Sequence, residues 1–227
     1  MAKTKIIAIE GIDGSGKSVQ FERLRFLLIS LGYSVAVRSY PMYDSFFGSQ
    51  VGNLLSGNDA IDAVNVDGKS MALWFALDRW DSFKGYTDGE SDFLLINRYV
   101  LSNAVYQNIR DCDVGKPDIS DWIFDLEYNR FALPRPDVTL LFDVSEASAS
   151  ENVDKKGFRE YVGDKKDVYE ASAGIQQRAR RMYIKIAQKY DDIAVIDCMT
   201  NGRLRGIDEI ADMVKNELLR RGIIKLL

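Results

Sequence analysis

The chain has 227 residues, of which 46% are hydrophobic and 28% are charged, and its formal net charge is −4. These values are typical of a globular protein, and the length suffices for one well-packed α/β domain or two small ones. No basic excess favours general nucleic-acid binding, so we expect no nucleic-acid partner. No apolar run approaches the ~20 residues of a transmembrane helix, and no signal-peptide pattern precedes the first predicted strand, so we predict no membrane partner.

The sequence has no histidine and two cysteines, Cys112 and Cys198, which lie far apart. Zinc sites need clustered thiolate and imidazole ligands, so this composition predicts no zinc site. Widely spaced cysteines are typical of proteins whose thiols stay reduced. We therefore predict a cytoplasmic location.

The first predicted element is an apolar run, Lys5–Glu10, that is typical of a buried parallel strand. A helical pattern that begins after residue 18 ends at Gly32, which favours a helix C-terminus. The apolar positions of that helix are Val19, Phe21, Leu24, Leu27, Leu28 and Leu31.

Between this strand and this helix lies a complete G-x-x-x-x-G-K-[ST] phosphate loop. Its glycines permit a tight curl of backbone N–H groups around a phosphate, Lys17 extends toward β- and γ-phosphates, and the Ser18 hydroxyl can ligate Mg²⁺. The order strand, loop, helix predicts nucleotide phosphate binding by Gly11, Ile12, Asp13, Gly14, Ser15, Gly16, Lys17 and Ser18.

Four further apolar segments predict strands, at residues 34–39, Phe93–Asn97, Val138–Asp143 and Ile193–Asp197. Because helical patterns separate them, the chain is predicted to form one α/β domain over residues 1–227, with a parallel five-stranded sheet and helices on both faces. Residues 207–221 predict an amphipathic closing helix. Residues 150–167 are rich in charge and lack an apolar face, which is typical of a solvated loop or of a lid over a phosphate site.

Several segments, in this order and at these separations, resemble the thymidylate kinase family of P-loop nucleoside-monophosphate kinases. They are the phosphate loop, Tyr40-Pro-Met-Tyr43, Trp74-Phe-Ala-Leu-Asp-Arg79, the residues 97–107, Leu133-Pro-Arg-Pro-Asp137 and Asp167-Val-Tyr-Glu170. The resemblance covers nearly the whole chain. It implies a three-layer P-loop NTPase fold with a lid, and an ATP:dTMP phosphotransferase that uses Mg²⁺ and forms homodimers.

The resemblance also implies an acceptor site for dTMP. Asp13 would accept a hydrogen bond from the 3′-hydroxyl, Arg98 would bind the acceptor phosphate, and both would join Lys17 as catalytic residues. The aromatic ring of Phe75 would stack on thymine, next to Arg79 at a carbonyl edge and Asn103 at the N3 edge. The further acceptor-binding residues implied are Tyr43, Tyr106, which would lie where a ribose 2′-hydroxyl projects, and Tyr169.

The residues alone permit plainer interpretations of these positions. Asp13 could be a turn-favouring aspartate. The spacing of Phe75 and Arg79 puts them on one helix face, as a core phenylalanine beside a salt-bridged arginine would be. Asn103 and Tyr106 could be a helix-surface amide and a core tyrosine.

The sequence departs from the family pattern in two places. The family has aspartate where Asn97 stands, and an arginine usually follows the proline at position 41, where this chain has none. Arg38 lies just upstream and could compensate. Family members whose phosphate loop lacks a variable basic residue place cations in the lid, which implies that role here for Lys155, Lys156, Arg159, Lys165 and Lys166.

Two other functions stay open at this point. A kinase of the same family could accept a different deoxynucleoside monophosphate, which the two departures allow. A non-catalytic nucleotide-binding regulatory protein could keep the fold without turnover. Retention of Lys17, Ser18 and Arg98 favours an active kinase, because a site that had lost its function would be expected to lose some of them.

Overall fold

The computed structural model describes residues 3–56, 63, 65–113, 115–154 and 174–225. Its centre is a parallel five-stranded sheet in the order β2-β3-β1-β4-β5. The strands are β1 (Lys5–Glu10), β2 (Val35–Ser39), β3 (Phe93–Asn97), β4 (Val138–Asp143) and β5 (Ile193–Asp197). The predicted sheet is confirmed, and only the first residue of β2 differs from the predicted bounds.

Strand β1 lies at the centre of the sheet, between β3 and β4. Ile9 pairs with Asn97 on one side and with Leu140 on the other, and both Ile9 and Leu140 are fully buried. A strand covered on both faces needs a continuous apolar run rather than an alternating one, as the sequence has here. The carboxyl ends of β1 and β3 therefore meet at one edge of the sheet.

Helices surround this sheet. They are α1 (Lys17–Ser30), α2 (Phe46–Ser56), α3 (Gly68–Ser82), α4 (Val100–Asp113), α5 (Ser120–Phe124), α6 (Glu146–Asp154), α7 (Ile175–Ala187) and α8 (Ile207–Arg220), with a π-helical turn at Asp125–Arg130 after α5. None of the helices among the described residues is long and apolar enough to cross a membrane.

Helix α1 follows the prediction with one exception. Phe21, Leu24 and Leu28 are buried, and Gly32 adopts φ +83° directly after the C-cap residue. Val19 is 45% exposed. The buried face runs through positions 17, 20, 21, 24 and 28, so Val19, one of the apolar positions of the predicted helix, does not belong to it.

Two features near the C-terminal half go beyond the prediction. Residues 150–154 of the predicted lid belong to α6, whereas the part of the lid from residue 155 to 167 lies outside the described residues. A short hairpin of β6 (Met199–Thr200) and β7 (Arg203–Leu204) precedes α8. Two-residue strands leave no periodic signal, and only the turn-forming Asn201-Gly202 pair could have indicated it.

Candidate active site

Two adjoining cavities lie at the carboxyl ends of β1 and β3. The first, which we call the phosphate-loop cavity, contains about 430 Å³ of empty space including its open mouth and is lined by Asp13, Gly14, Gly16, Lys17, Ser18, Asn97 and Arg98. The second, the central cavity, contains about 660 Å³ of empty space including its open mouth. It is lined by Asp13, Tyr40, Pro41, Tyr43, Leu55, Phe75, Arg79, Arg98, Ser102, Asn103, Tyr106 and Gln107. Asp13 and Arg98 belong to both linings.

Glycines in the phosphate loop stand where the packing leaves no space for a Cβ atom. A Cβ at Gly14 would lie 2.0 Å from the backbone oxygen of Ala149 in α6, and φ at Gly14 is +79°. A Cβ at Gly11 would lie 2.8 Å from the Phe142 oxygen. The Asn152 side-chain amide also donates to the Gly14 oxygen at 2.9 Å. Helix α6, which contains the first residues of the predicted lid, therefore packs directly on the loop.

Lys17 stabilises the curled phosphate loop through hydrogen bonds to its backbone. It is largely buried, and its Nζ donates hydrogen bonds to the backbone oxygens of Gly11 at 2.9 Å and of Ile12 at 2.7 Å. The left-handed Gly16 residue turns the chain into α1, and the first two residues of the helix, Lys17 and Ser18, line the same cavity. Positive charge and the amino end of a helix together form a site for phosphate oxygens.

An ion pair between Arg98 and Asp13 separates the two cavities. Arg98 directly follows β3, adopts φ +60°, and donates its backbone N–H to the Ile9 oxygen at 3.0 Å. Burial alone would lower the pKa of the Arg98 guanidinium, but the Asp13 carboxylate together with Tyr106, Tyr183 and Glu10 outweighs it and raises the pKa well above its usual value. The guanidinium therefore stays charged at the junction of the cavities.

Gln176 at the start of α7 is a site residue that sequence reasoning missed. Its Oε1 accepts hydrogen bonds from the Asp13 backbone N–H at 3.1 Å and from the Tyr106 hydroxyl at 3.2 Å. Its Nε2 donates to Asp13 Oδ2 at 3.1 Å. One carboxamide thus joins the phosphate loop to α4. The position of Gln176 just after the resembled lid motif was the only signal that could have indicated it.

At the far end of the central cavity, α3 and α4 bring Phe75, Arg79 and Asn103 together. Arg79 is buried and forms a bidentate ion pair with Glu127, with Nε–Oε2 at 2.5 Å and Nη2–Oε1 at 2.7 Å. The Asn103 amide donates from Nδ2 to Glu127 Oε1 at 2.8 Å and to the Ala72 oxygen at 3.0 Å. Asn103 Oδ1 is buried and has no hydrogen-bond partner among the described residues. Sequence reasoning missed Glu127.

Glu10 fixes the start of α4, the helix that carries Asn103 and Tyr106. This fully buried carboxylate accepts hydrogen bonds from the backbone N–H of Tyr99 at 2.6 Å and of Ser102 at 3.2 Å. Burial raises the pKa of Glu10, against the hydrogen bonds of Ser102 and Tyr99 and the positive charge of Arg98, which lower it. A carboxylate that binds the free N–H groups of a helix start orients that helix.

The segment that follows β2 is anchored by Asp78, which is buried in α3. Its Oδ2 accepts the backbone N–H of Met42 at 2.9 Å, and the Tyr40–Pro41 peptide bond before it is cis. Tyr43 lines the central cavity as predicted. Arg38 does not reach it: its guanidinium donates to the Ser82 oxygen at 2.5 Å. It also stacks on the Phe83 ring at 4.1 Å, so Arg38 does not take the place of the missing arginine in this structure.

The phosphate-loop cavity contains oxygen groups that fit a magnesium ion. Asn97 donates from Nδ2 to the Ser39 hydroxyl at 2.9 Å, and its buried Oδ1 has no partner among the described residues. The Ser18 residue lines the same cavity. No group of three acidic, cysteine or histidine side chains that could hold a metal occurs among the described residues. A neutral amide oxygen and a hydroxyl suit a Mg²⁺ ion that takes its other ligands from phosphates and water.

Most of the residues implied by the resemblance therefore lie around one site. Asp13, Tyr43, Phe75, Arg79, Arg98, Asn103 and Tyr106 line the central cavity. Tyr169 and the lid cations Lys155, Lys156, Arg159, Lys165 and Lys166 lie outside the described residues. The roles of all these residues stay predictions.

Comparisons with known proteins agree on one family. The family model described as thymidylate kinase matches residues 9–203. Thymidylate kinase of Mycobacterium tuberculosis is 33% identical over 186 residues, which are 80% of this chain and 85% of the relative. A probable thymidylate kinase of Thermococcus onnurineus is 28% identical over 222 residues, which are 95% of this chain and 99% of the relative.

A solved structure supports the fold. The thymidylate kinase of Candida albicans superposes with a TM-score of 0.74 at 20% identity, over 98% of this chain and 94% of that chain. At this identity the likeness bears on the fold, which is the P-loop arrangement of sheet and helices described above. The family model and the Mycobacterium relative extend over most of the chain, and on these grounds the chain belongs to the thymidylate kinase family.

Proposed function

We propose that this chain is an active thymidylate kinase, which transfers the γ-phosphoryl group of ATP to the 5′-phosphate of dTMP and gives ADP and dTDP. The observation that carries this proposal is the common wall of the two cavities, formed by Asp13 and Arg98. A donor phosphate chain on the phosphate loop and an acceptor phosphate in the central cavity would meet at this wall. In-line transfer between two bound phosphates requires this kind of juxtaposition.

The chemistry needs charge neutralisation more than proton transfer. A phosphomonoester has a second pKa near ~6, so the acceptor is mostly dianionic at neutral pH and needs no general base. The lack of histidine is therefore compatible with catalysis. Lys17 would bind the β- and γ-phosphates, and Arg98 would bind the acceptor phosphate through its planar guanidinium. The predicted lid over residues 150–167 would exclude water and limit ATP hydrolysis.

The far end of the central cavity supports a pyrimidine with a ring N–H. Asn103 Oδ1 is an acceptor without a protein partner among the described residues, and the N3–H of thymine is a donor. Among the described residues, the hydrogen bonds of Arg79 engage Nε and Nη2 and leave Nη1 for a ring carbonyl. Phe75 would stack on the base, and Tyr106 would lie against the deoxyribose.

Magnesium would accompany ATP. Ser18 and Asn97 are the residues that would hold it, directly or through water, at the phosphate-loop cavity. When bound, the ion neutralises charge on the transferred phosphoryl group. Asn97 would contribute an oxygen ligand without negative charge, so this chain would rely more on the phosphates to retain the metal than a member with aspartate there.

A coupled ADP-release assay tests the proposal. It uses the purified chain with ATP, Mg²⁺ and a panel of nucleoside monophosphates, and Lys17→Ala as the inactive control. We expect turnover with dTMP well above that with every other acceptor, and none with Lys17→Ala. Turnover that prefers another acceptor would show a shifted specificity. ATP binding without turnover on the whole panel would instead indicate a regulatory protein.

We also propose a homodimer and a cytoplasmic location. Leu73 and Trp80 stand two turns apart on one face of α3, and with Phe46 on the adjoining α2 they are exposed apolar side chains that an interface would cover. Sedimentation equilibrium of the wild type and of Trp80→Glu tests the dimer, which we expect the substitution to weaken. Neither Cys112 nor Cys198 forms a disulfide among the described residues, which supports the location, and cell fractionation tests it.

A further inference from the structure

The structure assigns Glu127 as a positioning residue that sets which base the central cavity accepts, through the orientation of Asn103 and Arg79. This inference rests on the proposed function. Glu127 does not line the cavity and is fully buried, so it would act only through the two side chains that it binds. It stands in the π-helical turn at Asp125–Arg130, on a different element from either partner.

Glu127 determines which end of the Asn103 amide faces the cavity. The two groups next to Nδ2 are a Glu127 carboxylate oxygen at 2.8 Å and the Ala72 backbone oxygen at 3.0 Å. Both groups only accept hydrogen bonds, so a rotated amide would place Oδ1 against two other oxygens. The amide is therefore held with Nδ2 toward the protein and Oδ1 toward the cavity.

The same carboxylate orients the Arg79 guanidinium. A bidentate contact in a buried site fixes the plane of the guanidinium as well as its position. Burial alone would lower the pKa of Arg79, but the charge and the hydrogen bond of Glu127, together with Tyr99 and Tyr40, outweigh it and raise the pKa. Glu127 thus keeps an acceptor, Asn103 Oδ1, and a donor, Arg79, side by side in the cavity wall.

This pair of groups matches one class of pyrimidine edge. Thymine and uracil present an N3–H donor beside carbonyl acceptors, whereas cytosine presents an N3 acceptor beside an amino donor. With Asn103 Oδ1 facing the base, cytosine would place its N3 lone pairs against an oxygen. A site whose buried polar groups are left unpaired by the wrong substrate rejects that substrate strongly.

The π-helical turn is the local structure that delivers Glu127. A π-helix has an extra residue in its turn, which shifts the following side chains around the axis, and such turns are frequent at functional sites. After this turn, the Leu133 backbone N–H donates to the Glu127 backbone oxygen at 3.0 Å. Both the backbone and the side chain of Glu127 are therefore fixed.

The experiment compares kcat/KM for dTMP and for dCMP in the wild type and in Glu127→Gln. A glutamine amide can donate to Asn103 Oδ1, which would let the Asn103 amide rotate and present Nδ2 to the base. We expect the KM for dTMP to rise about 10-fold, whereas kcat and the KM for ATP should change little. We expect the dTMP-to-dCMP ratio of kcat/KM to fall at least about 10-fold.

The control is Asp111→Asn. Asp111 is another buried acidic residue, on α4, and it accepts the Gly68 backbone N–H at 3.2 Å outside both cavities. We expect the ratio to stay at the wild-type value in this variant. The ratio does not depend on the fraction of folded enzyme, so a loss of stability alone does not change it. If Glu127→Gln does not fold, Glu127→Asp replaces it, since the shorter carboxylate cannot reach both partners and should also lower the ratio.

The outcomes separate this inference from the proposed function. A Glu127 variant that loses activity equally with dTMP and dCMP, so that the ratio is unchanged, would overturn the role of Glu127 while the enzyme remained a thymidylate kinase. A wild type that does not prefer dTMP would overturn the proposed function before any variant is compared.

Discussion

Arg98 forms an ion pair with Asp13 at the wall between the phosphate-loop cavity and the central cavity. The pair joins the end of β3 to the middle of the phosphate loop. The negative charge of Asp13 in the loop therefore does not oppose phosphate binding, because the half-buried Arg98 guanidinium compensates it. Asp13 and Arg98, to which the resemblance assigns acceptor binding, therefore fix the orientation of each other's side chains.

We predict that Asp13→Asn lowers kcat/KM for dTMP on the order of 10- to 100-fold, because the half-buried Arg98 guanidinium loses the carboxylate that orients it. Steady-state assays at saturating MgATP measure this. Asp125→Asn is the control, since Asp125 pairs with Arg130 on the surface, with side chains 43% and 72% exposed, and such pairs contribute little. Equal activity in Asp13→Asn and Asp125→Asn would contradict the prediction.

Gln176→Leu is expected to weaken the discrimination between deoxyribose and ribose acceptors. Without the Gln176 carboxamide, the Tyr106 hydroxyl loses its hydrogen bond to Gln176 and Asp13 loses two hydrogen bonds. We expect the dUMP-to-UMP ratio of kcat/KM to fall about 5- to 10-fold. Gln177→Leu is the matched control, because Gln177 is the exposed neighbour in the same helix. An unchanged ratio in Gln176→Leu would show that Tyr106 is held by other contacts.

Asn97→Asp is expected to leave turnover equal to the wild type or higher, and to lower the Mg²⁺ concentration needed for half-maximal rate. The substitution adds a negative charge to a cavity that Asn97 and Ser18 both line, and the Asn97 Oδ1 atom that it replaces has no partner among the described residues. Rates at a fixed ATP concentration across a magnesium titration measure both effects. Loss of activity at saturating magnesium would instead show that the amide is adapted to its site.

Gly14→Ala is expected to abolish ATP binding and to lower the melting temperature. The new Cβ would lie 2.0 Å from the Ala149 oxygen, so the loop or α6 must move. Gly32→Ala separates this clash from backbone strain, because Gly32 has φ +83° and no atom within 4 Å of its Cβ position. The control should cost ~1 kcal/mol of unfolding free energy and keep ATP binding. Isothermal titration with ATP and thermal unfolding of both variants provide the comparison.

The two cysteines are expected to differ in reactivity. Burial raises the pKa of the Cys198 thiol to about 12, with the nearby Asp143 and Asp197 carboxylates acting in the same direction, whereas Cys112 is exposed. Thiolate is the reactive form, so Cys198 stays protonated as pH rises from 7 to 9. Titration with a disulfide reagent should detect one fast thiol in the native protein and two after unfolding. Two fast thiols in the native protein at pH 8 would be inconsistent with this burial.

Local patterns in the sequence were sufficient to predict the strands of the sheet and the phosphate loop. An apolar run such as Lys5–Glu10 predicts a buried strand because burial on both faces leaves no room for polar side chains. The loop is a contiguous motif whose glycines and lysine act on neighbouring backbone atoms, as with Lys17 and the oxygens of Gly11 and Ile12. Such contacts span few residues, so the chain order alone indicates them. The helical pattern did not show that Val19 would be exposed. The buried face of a helix, unlike a contiguous motif, depends on which elements pack against it.

Only the tertiary structure decided how distant side chains hold the site. Glu127 lies 48 positions from the Arg79 residue that it binds, and Gln176 lies 163 positions from Asp13. Nothing in the local pattern around Arg38 showed that its guanidinium would stack on Phe83 rather than reach the cavity. Propensity and periodicity act over one or two turns, whereas these pairs exist because separate elements meet at the carboxyl edge of one sheet. The sequence by itself thus determined the strands and the phosphate loop, and the packing of α3, α4 and α7 decided which side chains position the residues around it.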